Sequence, residues 1–450
     1  MSEPVLAPAG RLTTGALRPT ILRLAAPTVA MMAFNTGFYV IDSMWVGRLI
    51  GPAALAAVST AGFTVWVMFN LAEMLDVGVV ALAARRHGAR APEEAARVAA
   101  AALFTALIAG LAATAAAFAV LPRLFQVMRV PADVALLGHA YLHTWLLGAP
   151  LVFGFFALEA TFRSSGDTKT PFLVLAGSVI LSMVLDPLLI LGLGPFPRLG
   201  VEGAALASVM VRGVACLVLL GLAFRRGHIR LRDPDWSAAP KIIRIGLPYS
   251  TSGILFSLVY IWLTRFTSRF GTPALAALGV GHKVEGVGFV AITGFTLAAA
   301  ALVGQSLGAG DVARARRATW HTVGYALMVT TCTALACLLV PRFFVGLFTM
   351  DPQVIANGTG YLRIIAMAQV GQTFELILEG ALAGAGYTFW PMVWSSSLTF
   401  ARIPLAAWWS GLWGVTGIWW AISLTATLRG VAMTGLWIWG GWRPRTAGVV

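Results

Sequence analysis

Gly51-Pro52-Ala53-Ala54-Leu55-Ala56-Ala57 returns 220 residues later as Gly271-Thr272-Pro273-Ala274-Leu275-Ala276-Ala277, and this return decides the fold. The register holds without a gap to Gly88-Ala89, matched by Gly308-Ala309, and reappears at Tyr141-Leu142 against Tyr361-Leu362. It recurs where Leu158-Glu159, Gly166, Thr168 and Pro171 fall on Leu378-Glu379, Gly386, Thr388 and Pro391. Three separated blocks at one offset exceed what an Ala-rich composition produces by chance, so the second half duplicates the first. In an apolar chain, a duplication of this length points to two helical bundles with a substrate path between them.

Of the 450 residues, 58% are hydrophobic and only 11% are charged. Soluble domains carry about 25% charged residues, so there is too little charge here to coat a water-facing surface. Reading between charge clusters and Gly/Pro punctuation gives spans over 22–46, 58–84, 99–121, 134–162, 171–191 and 200–224. The second set covers 245–266, 276–303, 319–340, 361–383, 391–412 and 415–439. Each meets the roughly 20 residues that a bilayer-crossing helix needs. The expectation is an all-α polytopic membrane protein of 12 transmembrane helices. Its two six-helix lobes are related by a pseudo-two-fold axis along the membrane normal, because an even number of spans per half gives a parallel repeat. The divisions expected are a cytoplasmic N-terminal segment (1–21), an N-lobe (22–224), a cytoplasmic linker (225–244), a C-lobe (245–440) and a cytoplasmic tail (441–450).

Orientation follows from Lys and Arg. The clusters Arg85-Arg86-Arg90-Arg97, Arg225-Arg226-Arg230-Arg232-Lys241-Arg244 and Arg314-Arg316-Arg317 fall on one side. This bias places both termini in the cytoplasm of a multi-pass protein of the cell (inner) membrane. The net charge of +14 then reflects topology and contact with anionic lipid heads rather than nucleic acid. The first 18 residues show no apolar core ending in a cleavage site, so no removable signal is expected. Cys216, Cys332 and Cys337 lie in spans without metal-ligand spacing and read as small apolar residues. His139 and His143 stand four apart without an evident third ligand, so no metal site is assigned. There is no Walker A sequence, no G-x-S-x-G and no H-E-x-x-H, so neither an ATP-driven pump nor a hydrolase is indicated and the chain is not read as an enzyme.

Asp42-Ser43-Met44-Trp45-Val46-Gly47-Arg48-Leu49, with the Gly51 block that follows, resembles the first-helix signature of the MATE (multidrug and toxic compound extrusion) transporters. Leu302-Val303-Gly304-Gln305-Ser306-Leu307-Gly308-Ala309-Gly310, Gly166-Asp167-Thr168-Lys169-Thr170-Pro171 and Asp186-Pro187-Leu188-Leu189-Ile190 are similar to the same family. The resemblance covers nearly the whole chain. It implies twelve helices in two lobes and cation-driven export of organic compounds, with no cofactor beyond a coupling ion, H+ or Na+. The match is closer to the DinF-like branch. That branch implies a cation site on an aspartate of the first span and another of the fifth, here Asp42 and Asp186. The C-lobe acids of the other bacterial branch fall on Phe256 and Gln372, so that site is expected to be absent.

Ionisable groups in a bilayer are expensive, and each acid in a span is a candidate site. Asp42 and Asp186 lie at similar depth, with Ser182 and Ser208 as neutral oxygens nearby. Close carboxylates in a low-dielectric site resist double ionisation, which favours an exchangeable proton over sodium. Hydrogen bonding to a neighbouring helix is the bland alternative. Glu73 and Asp76 share one face of the second span with Asn70, near mid-membrane. They deepen an acidic cavity, bind a cationic substrate directly, or pair with a base such as Arg212. Phe34, Phe38, Tyr39, Phe63, Trp66 and Phe69 are candidate pocket walls, since flat apolar rings with a few acids suit hydrophobic cations. In the C-lobe, Glu285, Glu375 and Arg402 form a candidate polar network in which Arg402 pairs with one of the acids. Glu159 and Glu379 are repeat-related and read as gate or loop-bracing groups. The reading is therefore a monomeric antiporter whose partners are small organic molecules and lipids. The rivals are a sodium-coupled exporter, a lipid-precursor or polysaccharide flippase, and a non-transporting membrane scaffold or sensor.

Overall fold

The computed structural model describes residues 16–50, 52–127, 132–347 and 352–443. The first half gives α1 (Leu17–Leu49), α2 (Pro52–Gly88), α3 (Pro92–Val127), α4 (Ala132–Ser164), α5 (Lys169–Leu191) and α6 (Val201–Arg225). The second gives α7 (Ala238–Ser268), α8 (Thr272–Gly308), α9 (Val312–Leu339), α10 (Pro341–Gly346), α11 (Pro352–Gly384), α12 (Phe389–Trp413) and α13 (Val415–Trp439). Among the described residues there is no strand. Apart from the short α10, the elements are the expected long helices, and the duplication is visible in them: α5 and α12 begin 220 residues apart.

Among the described residues, nine helices are long and apolar enough to cross a membrane. α11 and α12 are long but more polar. α11 carries Arg363, Gln369, Gln372, Glu375 and Glu379, while α12 is rich in Ser and Trp. The large apolar side chains left on the surface, among them Leu136, Ile108, Leu111 and Val120, would be unfavourable in water and are suited to lipid.

The repeat extends to hydrogen bonds in the turns. After α2, Ala89, Arg90 and Ala91 donate their N–H groups to the carbonyls of Arg85, His87 and Arg86. After α8, Ala309, Gly310 and Asp311 donate to Gln305, Leu307 and Ser306. The turn needs a left-handed residue, supplied by Gly310 at φ 75° in one copy and by Arg90 at φ 60° in the other. Asp311 then caps α9 by accepting the Arg314 N–H at 2.7 Å.

Two compact units result, Ala30–Leu247 and Pro248 onward, the second joined by the stretch of α1 up to Val29. In the first, α4 is the central helix, packed on α2, α3 and α6; in the second, α11 has that place, packed on α8, α9 and α13. Residues 22–29, assigned from sequence to the N-lobe, thus pack with the second unit. The physical reason is close backbone approach. Thr28 Oγ1 donates to the Gly294 carbonyl at 2.8 Å, and a Cβ on Gly294 would strike Val29. α7 reciprocates, since a Cβ on Gly246 would strike the Met74 carbonyl and one on Gly78 the Ile242 carbonyl. Met74 and Gly294 are themselves one repeat apart.

The polar stretch before α7, expected as a linker, is docked on the first unit. Arg97 Nε pairs with Asp233 at 2.9 Å and Arg230 with Glu93 at 3.0 Å. Arg226 pairs with Asp167 and donates to Thr170 Oγ1 at 2.8 Å. Trp236 lies against Phe104, ring centroids 5.6 Å apart.

The close approach of α7 to α2 has a measurable consequence. Gly246→Leu should lower the thermal midpoint of the purified protein, by about 1–3 kcal/mol of overpacking. Gly221→Ala, where nothing lies within 4 Å, should leave the midpoint unchanged or raise it. Equal midpoints for Gly246→Leu and the parent would contradict this packing.

Candidate functional site

α5 carries Asp186 on its buried face with Leu175, Ser178, Val179, Ser182, Leu189 and Ile190. That face lies along α6, close enough that a Cβ on Gly203 would sit 2.6 Å from the Leu189 carbonyl oxygen. Asp186 is 0% exposed. Ser182 Oγ, one turn earlier, donates to its Oδ2 at 2.8 Å, while Oδ1 is buried with no hydrogen-bond partner. Pro187 follows inside the helix. It has no N–H to give to the Met183 carbonyl, four residues back. Ser208 is buried on α6, with no hydrogen bond to Asp186 among those described. Asp42 lies on α1. Its side chain, like those of Phe38, Tyr39 and Phe63, is outside the described residues.

Asp76 of α2 has a partner that sequence reasoning missed. Arg163, in the last turn of α4, donates from Nη2 to Asp76 Oδ1 and from Nη1 to Glu159 Oε1, the latter at 2.8 Å. All three side chains are buried. Glu159 is therefore half of a structural clamp between α2 and α4. The signal is present in the sequence as the i, i+4 spacing of Glu159 and Arg163, although Arg163 falls one residue past the span expected over 134–162. Asp76 is thereby tied to the last turn of α4. Arg212 takes neither acid in a described ion pair. Its guanidinium lies 5.6 Å from the Phe69 ring centroid and 5.3 Å from that of Phe155.

Of the expected pocket walls, Phe69 is packed edge-on against Trp145 and Phe156 of α4, both at 5.8 Å. Phe34 meets Phe172 at 5.7 Å, and Phe34 and Trp66 remain exposed. Asn70 Nδ2 donates to the Trp66 carbonyl of its own helix at 2.9 Å. Glu73 is half-buried beside this face.

In the second unit the expected pairing of Arg402 with Glu375 or Glu285 does not occur. Glu375 Oε1 pairs with Arg429 Nη2 of α13 at 2.9 Å, and Arg429 Nη1 also donates to Thr399 Oγ1 at 2.9 Å. Arg402 Nε donates instead to Thr425 Oγ1 at 2.8 Å. Glu285 accepts from Tyr361 Oη at 3.1 Å and Gln372 Nε2 at 3.2 Å. Gly281 makes that bond possible: a Cβ there would strike the Tyr361 ring. With glycine at that position the ring comes close against α8, and its hydroxyl reaches Glu285 one turn further on. Arg429 wins over Arg402 because α13 faces α11 directly, and these two helices form one of the most extensive contacts of the unit. Glu379, one turn beyond Glu375, is half-buried.

A family model, MatE, matches residues 27–188 and again 248–408, the two halves of the repeat. The chain belongs to the MatE family. A MatE protein is a transporter and not an enzyme, in keeping with the motifs above. It is 29% identical to the probable multidrug resistance protein NorM of Deinococcus radiodurans, with 96% of this chain and 97% of that one covered. It is 28% identical to the FAD transporter of Shewanella oneidensis, with 92% of each covered. Among solved structures, it resembles the outward-facing conformation of a multidrug resistance MATE family transporter of the MOP superfamily. There the TM-score is 0.88 at 25% identity, covering 96% of this chain and 97% of that chain. A MOP superfamily transporter from Pyrococcus furiosus is similar at TM-score 0.87 and 26% identity, with the same coverage. That protein is described as having a binding pocket of reverse polarity that suggests a different function. The MatE protein is thus a multi-pass membrane transporter of two six-helix lobes.

The Arg163 clamp gives a direct test. Removing one partner of a buried ion pair strands the other charge and typically costs about 3–5 kcal/mol. Arg163→Gln is expected to lose most of the monodisperse protein on size-exclusion chromatography, with Asp76→Asn/Arg163→Gln recovering part of it. A fully stable Arg163→Gln single variant would count against the clamp.

Proposed function

We propose that this MatE protein exports hydrophobic organic compounds, cations foremost, in exchange for an inward-moving cation. The proton is favoured over sodium as the coupling ion. The observation that carries this reading is Asp186: a fully buried carboxylate with one oxygen held by Ser182 and the other without a partner. Such a group is poised to take up and release a cation when the bundle opens to water. Asp42 on α1 is its partner in this reading, as in the DinF-like branch, and the Met183 carbonyl of α5 and Ser208 of α6 are further candidate oxygens. Export of cations is supported by Glu73, half-buried on α2 beside the Asp76 clamp. The name of the Deinococcus radiodurans relative supports drugs as substrates. Both termini are assigned to the cytoplasm of the inner membrane, because the basic clusters around Arg85, Arg225 and Arg314 then lie inside.

Asp186→Asn in proteoliposomes should abolish export driven by an imposed pH gradient while leaving substrate binding measurable. Undiminished transport would remove Asp186 from the coupling site. Flux that follows a sodium gradient at fixed pH would overturn the choice of proton alone.

Glu73→Gln is expected to weaken export of cationic drugs several-fold more than that of neutral drugs, at normal protein levels. Equal losses for the two classes would assign Glu73 to structure instead.

A further inference from the structure

α5 and α12 are corresponding helices 220 residues apart, so Ser182 and Asp186 of the first match Arg402 and Ala406 of the second. Where one unit holds an acid and its hydroxyl donor, the other holds a guanidinium and a methyl group. The polarity of the position is reversed.

Arg402 is 1% exposed. Its Nε bond to Thr425 is directional, because Thr425 gives its own hydroxyl proton to the Ala421 carbonyl at 2.7 Å. The oxygen facing Arg402 is therefore an acceptor by constraint, and it fixes one edge of the guanidinium. The Phe256 and Tyr260 rings stand 5.8 and 5.5 Å from the guanidinium carbon. Both rings are only half-buried. Nη1 is buried and has no hydrogen-bond partner. Among the described residues no carboxylate comes within 4.0 Å of Arg402, and the nearby Glu375 is matched by Arg429. A guanidinium without a counter-ion in a lipid-facing bundle is costly unless an anion completes it. Its planar set of fixed donors fits a carboxylate or a phosphate, and flanking rings fit a flat aromatic body.

We propose that Arg402 anchors a subsite within the second unit that binds the carboxylate or phosphate of an aromatic organic substrate. The inference rests on the transporter reading for its biological use and extends the substrates to acids and zwitterions. Its test needs no transport.

Purified protein in nanodiscs, without any gradient, is titrated by ligand fluorescence with two matched pairs. Riboflavin 5′-phosphate against riboflavin probes a phosphate; 1-pyrenebutyric acid against its methyl ester probes a carboxylate. The charged member of at least one pair should bind about tenfold or more tightly, and the responding pair identifies the anion. Arg402→Gln should equalise that pair, and Arg402→Lys should retain part of the preference, as a point charge without the fork. Thr425→Val, which keeps the charge but releases its orientation, should reduce binding of the charged member only. It serves as the decisive variant if Arg402→Gln does not fold. No preference in the parent protein, or a preference that survives Arg402→Gln or Thr425→Val, overturns the subsite. Loss of gradient-driven export with these preferences intact would instead count against the transport reading.

Discussion

A charge inside a bundle that faces lipid has no water to fall back on, so every ionised side chain must be answered by another group of the protein. This constraint organises both units. In the first, Arg163 holds Asp76 of α2 and Glu159 of its own helix, and the clamp ties the central helix α4 to its neighbour. In the second, Arg429 answers Glu375 from α13, and neutral donors, Tyr361 and Gln372, answer Glu285. The central helix of each unit is thus locked by one arginine to a flanking helix. Asp186 and Arg402 are set apart from this matching: among the described residues neither is in an ion pair, and Asp186 Oδ1 and Arg402 Nη1 are buried without a hydrogen bond. Unmatched groups are where a ligand can supply the missing half of an interaction, so matched and unmatched charges divide structure from function here.

The fold was legible because it rests on periodic and repeated features. Apolar length gave the helices, and the 220-residue offset gave the two lobes; even the turns after α2 and α8 carry the same hydrogen bonds. Charge pairing was not legible to the same degree, and the reason is physical. A repeat predicts which helices correspond but not which side chains meet across them. Asp76 and Arg163 lie 87 residues apart in sequence and have no counterpart in the second unit, where the same positions hold Thr296 and Ala383. Arg402 was assigned an acid because acids were near it in depth, and the structure gives it a hydroxyl.

The exchange of helix beginnings between the units was equally hidden from composition. α1 changes unit at Val29 and α7 at Leu247, and each has a proline at the changeover, Pro27 and Pro248. Each proline leaves one carbonyl of its helix without an i+4 donor, which makes these turns the cheapest places for the helices to bend. Glycine opposite each changeover, Gly294 for α1 and Gly246 within α7, lets backbone approach backbone. In the α1 pair, Thr28 turns its hydroxyl to the Gly294 carbonyl. The contact is thereby both close and polar, the combination that holds helices together where the solvent is as apolar as the side chains.

Duplication explains how one chain can carry opposite charges at corresponding places. A duplicated bundle supplies its scaffold twice, from helix packing that depends on small and apolar residues such as Gly203 and Gly281. The polar positions on that scaffold are then free to diverge, because changing Ser182 and Asp186 into Arg402 and Ala406 leaves the apolar packing of the helix intact. What does constrain them is the burial cost, which forces each new charge to find a neutral orienting partner: Ser182 for Asp186, Thr425 for Arg402. Both partners are hydroxyls, which can act as donor to a carboxylate or acceptor from a guanidinium. A hydroxyl orients a charge without neutralising it, and a charge that is oriented but not neutralised retains most of its attraction for a ligand of the opposite sign.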